Sequence, residues 1–122
     1  METVFVFLAN GFEEIEAFTA VDVLRRGGLD VQLVSMNSLV DSDTPECVIG
    51  AHDVEVVCDV LFAEADFTRA KALVLPGGMP GAEVLSKHNG LNELVTQFFK
   101  ADKLVAAICA APMVLGKLGL LQ

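Results

Sequence analysis

"TVFVFLANGFEEIEAFTAVDVLRRGG", residues 3–28, reads as a strand, a turn and a helix, and this order decides the fold. Residues 3–9 form a nearly continuous apolar run, the pattern of a strand buried on both faces. Asn10-Gly11-Phe12 then turns the chain. From Glu13 to Arg26, the residues Ile15, Phe18, Val21 and Leu24 recur at helical spacing, and Gly27-Gly28 stops the helix. A buried strand running into an amphipathic helix is the first half of a βαβ unit.

The same alternation continues outward. "DVQLVSM" (30–36) is a second strand, "NSLVDSDTPE" (37–46) is polar and irregular, and "VEVVCDV" (54–60) is a third strand or extended segment. "KALVLPGG" (71–78) is a buried strand that ends in a glycine pair. "GLNELVTQFFKAD" (90–102) carries Leu91, Leu94, Val95, Phe98 and Phe99 on one helical stripe. "KLVAAI" (103–108) is a further strand, and "APMVLGKLGLL" (111–121) starts a helix. Strands alternating with helices predict an α/β fold with a mostly parallel sheet. A chain of 122 residues predicts one domain, 1–122, long enough to bury a core.

Composition narrows the function. The net charge of −9 repels phosphate backbones, which argues against nucleic acid as a partner. Three cysteines, Cys47, Cys58 and Cys109, make an odd set without CxxC spacing. A disulfide framework is therefore not expected, and a reducing cytoplasm is. The start "METVFVFLANG" reads as a strand rather than a leader, and the uncharged stretch from Leu104 to Gly116 is too short to span a bilayer. A soluble protein without membrane attachment is expected.

In parallel sheets, sites gather at the carboxyl ends of the strands. Three such loops are "ANGFEEIEA", "LPGGMPGA" and "ICAAP", which are also the least ordinary stretches of the chain. Cys109 sits at a strand-to-helix junction. It is either a small buried residue or a nucleophile on an elbow, with a helix start beneath it favouring thiolate. Glu13 or Glu14 reads as a solvated acid favoured by the helix dipole, whereas Glu16 lies within the helix, where a carboxyl turned toward the strand ends could move protons. Gly77-Gly78 is either a plain turn or a place where backbone N–H groups approach a ligand. The pair lacks the spacings of a dinucleotide fingerprint or a P-loop. His52 and His88 default to surface residues, and no metal spacing is visible, so no metal and no cofactor are expected.

Taken together, "ANGFEEIEAFTAVDVLRRGG" (9–28), "ALVLPGGMPGAEVL" (72–85) and "LVAAICAAPMVL" (104–115) resemble the ThiJ/PfpI family. They are most similar to its branch that contains the parkinsonism-associated deglycase and the bacterial chaperone YajL. The resemblance runs in order from Val4 to Leu115. It implies a flavodoxin-like three-layer α/β sandwich and a homodimer. It also implies that Cys109 is the nucleophilic, oxidation-sensitive cysteine and that Glu16 is its hydrogen-bonded proton shuttle. Gly77, Gly78 and the Ala110 N–H correspond to an anion-binding pocket beside the thiol, and His52 falls near the dimer partner's site. The implied activity is cofactor-free conversion of 2-oxoaldehydes such as methylglyoxal to hydroxy acids, or deglycation. Ala110 follows the cysteine where the protease-like branch has a histidine, which speaks against a peptidase triad.

Two rivals accompany this reading: a redox sensor or chaperone that works by oxidation of Cys109, and an inert flavodoxin-like binding domain in which Cys109 is buried. Family members continue past the position of Gln122 with further strands and helices. The resemblance therefore implies a truncated chain or a complementary C-terminal segment from elsewhere. Without those elements, apolar faces of the sheet and last helix would be exposed, and the isolated 122 residues are expected to be unstable or to aggregate.

Overall fold

In the computed structural model, which describes residues 2–109 and 111–120, the chain forms seven strands and four α-helices. In chain order these are β1 (Thr3–Leu8), α1 (Glu14–Arg26), β2 (Asp30–Ser35), β3 (Cys47–Ile49), β4 (Glu55–Val57) and β5 (Val60–Leu61). They are followed by β6 (Ala70–Leu75), α2 (Gly81–Lys87), α3 (Asn89–Lys100), β7 (Leu104–Ala107) and α4 (Pro112–Lys117). The main sheet has five strands in the order β5-β2-β1-β6-β7. All of its pairings are parallel.

Successive side chains of β1 point to opposite faces. Phe5 and Phe7 join Leu73, Leu75, Leu85, Leu91, Val95, Phe98 and Val114 in one core, under α2, α3 and α4. Val4, Val6 and Leu8 join Phe12, Ala17, Val21, Val31 and Leu33 in the other, under α1. The architecture is thus the expected three-layer α/β sandwich. Helix α1 ends in a Schellman arrangement: Leu29 N–H donates to the Leu24 carbonyl at 3.1 Å and Gly28 N–H to that of Arg25 at 3.0 Å.

Two expectations need correction. Residues 54–60 are not one strand. Cys58 N–H donates to the Glu46 carbonyl, which closes an antiparallel β3–β4 hairpin, while Asp59 exchanges hydrogen bonds with Leu33 and carries β5 onto the edge of β2. The apolar stripe of α1 holds at Phe18, Val21 and Leu24, which pack into the core under the helix, but not at Ile15. The helix's buried positions are Glu14, Ala17 and Val21 with Phe18 half-buried, and Ile15 is 71% exposed. A carboxylate, not an isoleucine, begins the buried face.

On the α1 side, Ile15 and Val23 face Leu104 and Ile108 across an exposed apolar groove of about 700 Å³ that Glu16 also lines. Among the described residues no helix is long and apolar enough to cross a membrane.

Candidate active site at the strand ends

The sheet order reverses at β1: the chain moves from β1 to β2 on one side and returns to β6 on the other. Crevices at such switch points are where open parallel sheets bind ligands. The loops after β1, β6 and β7 meet there. Glu13 N–H donates to the Gly77 carbonyl at 2.9 Å, and Ile108 N–H donates to that of Leu75 at 3.1 Å. These bonds pin the glycine loop between the start of α1 and the end of β7.

Gly77 is buried and is the meeting point of the site. Its N–H donates to Glu16 Oε1 at 3.0 Å. A Cβ built at this position would lie 2.7 Å from Glu16 Oε1, 2.8 Å from Cys109 Cβ and 2.9 Å from the Ile108 carbonyl oxygen. Only glycine leaves that position open to both the carboxylate and the cysteine. The structure therefore brings Glu16, Gly77 and Cys109 together, and Gly78 follows with φ +96°. Ala110 lies outside the described residues.

Cys109 has φ +58° and is exposed. A non-glycine residue in that region carries roughly 1–3 kcal/mol of strain, which the surrounding structure must over-determine. This is the backbone of a nucleophile elbow. The inert-domain rival needed a buried thiol at 109, and exposure removes that premise. Helix α4 starts three residues later at Pro112 and has six residues, under ~2 turns. The expected dipole beneath the thiol is thus short. The other two thiols differ. Burial, then the charge of Asp59, pushes the Cys58 thiol up to about 12. Cys47 is raised by burial and by Glu55.

Glu14 is the residue that sequence reasoning missed. It is not a solvated acid but is 7% exposed. Its Oε2 accepts from the N–H groups of His52 at 2.7 Å and Val54 at 3.2 Å, and its Oε1 lies 2.9 Å from His52 Nδ1. Burial alone would raise this carboxyl. Hydrogen bonds from the His52 ring, from its own backbone and from the His52 and Val54 N–H groups outweigh that and hold it at about 2. The signal was present in the sequence, because Glu14 is in phase with Ala17, Phe18 and Val21 at i, i+3, i+4 and i+7.

His52 sits at the turn of the β3–β4 hairpin, its side chain 68% exposed. It lies 3.5 Å from Glu13 Oε1 as well as against Glu14. The Glu14 hydrogen bond, then the charges of Glu13 and Glu14, raise its pKa. Within this chain it is therefore held by the start of α1. Spacing suggested no metal cluster, yet Glu13, Glu14 and His52 each present a ligand atom within 4.8 Å of the others, a grouping made by folding and invisible as a motif. His88 is not a plain surface residue either. Its Nδ1 accepts from Leu91 N–H at 3.0 Å and caps α3.

Fold and site together define an α/β sandwich with a thiol on an elbow, a carboxylate beside it and a glycine between them. The chain belongs to the DJ-1/PfpI family, whose model matches residues 2–122. Protein DJ-1 homolog A of Arabidopsis thaliana is 37% identical over 122 residues, covering 99% of this chain and 30% of its own length. Protein dj-1beta of Drosophila melanogaster is 36% identical over 114 residues, covering 93% and 58%. The structure of oxidized Toxoplasma gondii DJ-1 superposes with a TM-score of 0.88 at 37% identity, covering 100% of this chain and 64% of that one. The chain thus spans less than two thirds of the length of these relatives.

Proposed function

We propose that the protein is a cysteine-dependent, cofactor-free enzyme acting on 2-oxoaldehydes or glycated groups, with methylglyoxal to lactate as the model reaction. The observation that carries this reading is the convergence of Glu16 and Cys109 on the open Cβ position of Gly77.

The Cys109 thiolate adds to the aldehyde carbon, and its C–S bond gives a hemithioacetal. Glu16 takes the proton from that carbon, passing through an enediol, and returns it to the neighbouring carbon. The product is the thioester of a 2-hydroxy acid. Water then cleaves the C–S bond, releases lactate and restores the thiol. The net change is addition of one water with no external oxidant or reductant. Since the Gly77 N–H is committed to Glu16, the N–H groups of Gly78 and Ala110 are the proposed donors to the developing oxyanion. The same reading carries a homodimer with His52 near the partner's site and a cytoplasmic location.

The test is lactate formation from methylglyoxal, without added glutathione, by the protein and by Cys109→Ser. Turnover that disappears in the serine variant is expected. Equal turnover in both would remove the thiol from the mechanism.

Exposure of Cys109, and the solved structure of a relative described as oxidized, favour a second reading as a redox sensor or chaperone. Peroxide would convert the thiolate to sulfenic and then sulfinic acid, one oxygen at each step. A selective mass gain at Cys109 in a protein with no methylglyoxal turnover would favour this reading.

A further inference from the structure

We infer that Glu14 is a positioning residue for Glu16 and, through it, for the Cys109 thiol; this rests on the reading of Glu16 and Cys109 as the reacting pair. The two carboxylates leave the first turn of α1. One is anchored and the other works.

The anchor is built from the β3–β4 hairpin. Three donors converge on the Glu14 carboxylate: the N–H of His52, the N–H of Val54 and the His52 ring. Gly50 forms its floor, where a Cβ would overlap the carboxylate itself. Two further bonds tie the same hairpin to the loop before α1: Gly11 N–H to the Ile49 carbonyl and Ala51 N–H to that of Phe12, each at 2.8 Å. On the opposite side Glu13 N–H holds the Gly77 carbonyl. The start of α1 is therefore clamped between the hairpin and the glycine loop.

The clamp fixes the roll of the helix. A side-chain end ~5–6 Å from the helix axis moves by about 1 Å for each ~10° of roll. Misplacement by about 1 Å can cost ~10²-fold in rate. An apolar residue at position 14 would be buried equally well, but apolar contact is non-directional, whereas three hydrogen bonds to one carboxylate set an angle.

A double-mutant cycle tests this. Glu14→Ala and Glu16→Gln are made singly and together. Methylglyoxal turnover and the iodoacetamide alkylation rate of Cys109 are measured, the latter by peptide mass with Cys58 as the reporter of fold. Glu14→Ala is expected to lower turnover ~10²-fold and to change the Cys109 alkylation rate. Both effects should shrink to within about twofold in the Glu16→Gln background. Glu14→Gln, which keeps the shape and an acceptor oxygen, should restore turnover to within several-fold of the original. Equal effects of Glu14→Ala in both backgrounds would overturn the inference.

If Glu14→Ala exposes Cys58, Gly50→Ala replaces it, since its methyl displaces the carboxylate while leaving Glu14 in place. Should that variant expose Cys58 as well, Glu14 holds the fold rather than the site, and the inference falls. If the unaltered protein does not turn over methylglyoxal but the alkylation cycle is non-additive, the proposed enzyme falls and the positioning role stands.

Discussion

Glu14 and Glu16 differ in everything except their place on one helical turn. The first faces the hairpin, is buried, and is occupied by main-chain donors and an imidazole that hold it ionised. The second faces the strand ends, is half-buried, and shares a single glycine with an exposed cysteine on strained backbone. Hydrogen bonds that satisfy a carboxylate completely make it a fixture. Among the described residues the Glu16 carboxylate accepts from the Gly77 N–H, beside the thiol, and this is the carboxylate to which the proposed function gives the proton transfer. Neighbouring residues of one type are thus given different surroundings by what the rest of the chain brings to each.

The contrast between the two glutamates should show most strongly in Glu16→Gln. Removing a general acid/base is expected to cost ~10²–10⁴-fold in methylglyoxal turnover, with Cys58 still protected from alkylation. An unchanged rate would place Glu16 with Glu14 among the structural carboxylates. Gly77→Ala comes next. Its methyl would stand within 2.9 Å of Glu16, Cys109 and the Ile108 carbonyl. A forced displacement of about 1 Å predicts ~10²-fold slower turnover. Retention of full activity would mean that the three groups need not meet.

The two histidines extend the contrast to stability. His88 caps α3 as an acceptor at Nδ1, so that nitrogen must carry no proton, and burial lowers its pKa. Its contribution is present above pH 6.5, the unfolded value, and is lost as pH falls through the folded one. His88→Ala should cost about 0.5–2 kcal/mol in denaturant unfolding near neutrality, the range of a lost N-cap. A cost that instead grows on acidification would mean that the protonated ring, not the neutral one, stabilises the fold.

The smallest effect concerns His52. Its raised pKa gives a contribution that is present below pH 6.5 and lost as pH rises through the folded value. Glu14 works in the acid range: its contribution is present above pH 4.5 and lost as pH falls toward 2. Glu14→Gln should therefore bring the His52 titration, followed by NMR, back toward 6.5 and flatten the acid limb of unfolding. A His52 titration that does not move would separate the two groups.

Much of this was legible in the sequence, and for a physical reason. Strands of a covered parallel sheet are rich in apolar residues, so β1, β2, β6 and β7 stand out in "TVFVFL", "DVQLVS", "AKALVL" and "LVAA", although β7 is only half-buried in this structure. The loops at their ends follow from parallel pairing, which is why Gly77, Glu16 and Cys109 could be suspected of meeting. The hairpin was not legible: β3 and β4 have three residues each, and one pairs on exposed surface. Glu14 was hidden because its partners lie 38 and 40 residues away, and acids at a helix start are ordinarily solvated. Its phase with Ala17 and Val21 was the one local clue.

The proposed function requires Cys109, exposed on left-handed backbone, to react ahead of the half-buried Cys47 and the buried Cys58. The decisive experiment labels all three with limiting iodoacetamide in one folded sample and reads each peptide by mass. Cys109 is expected to be modified first, by about tenfold or more over either of the others, as thiolate access dictates. Modification of Cys47 or Cys58 at a comparable rate would contradict the proposed function.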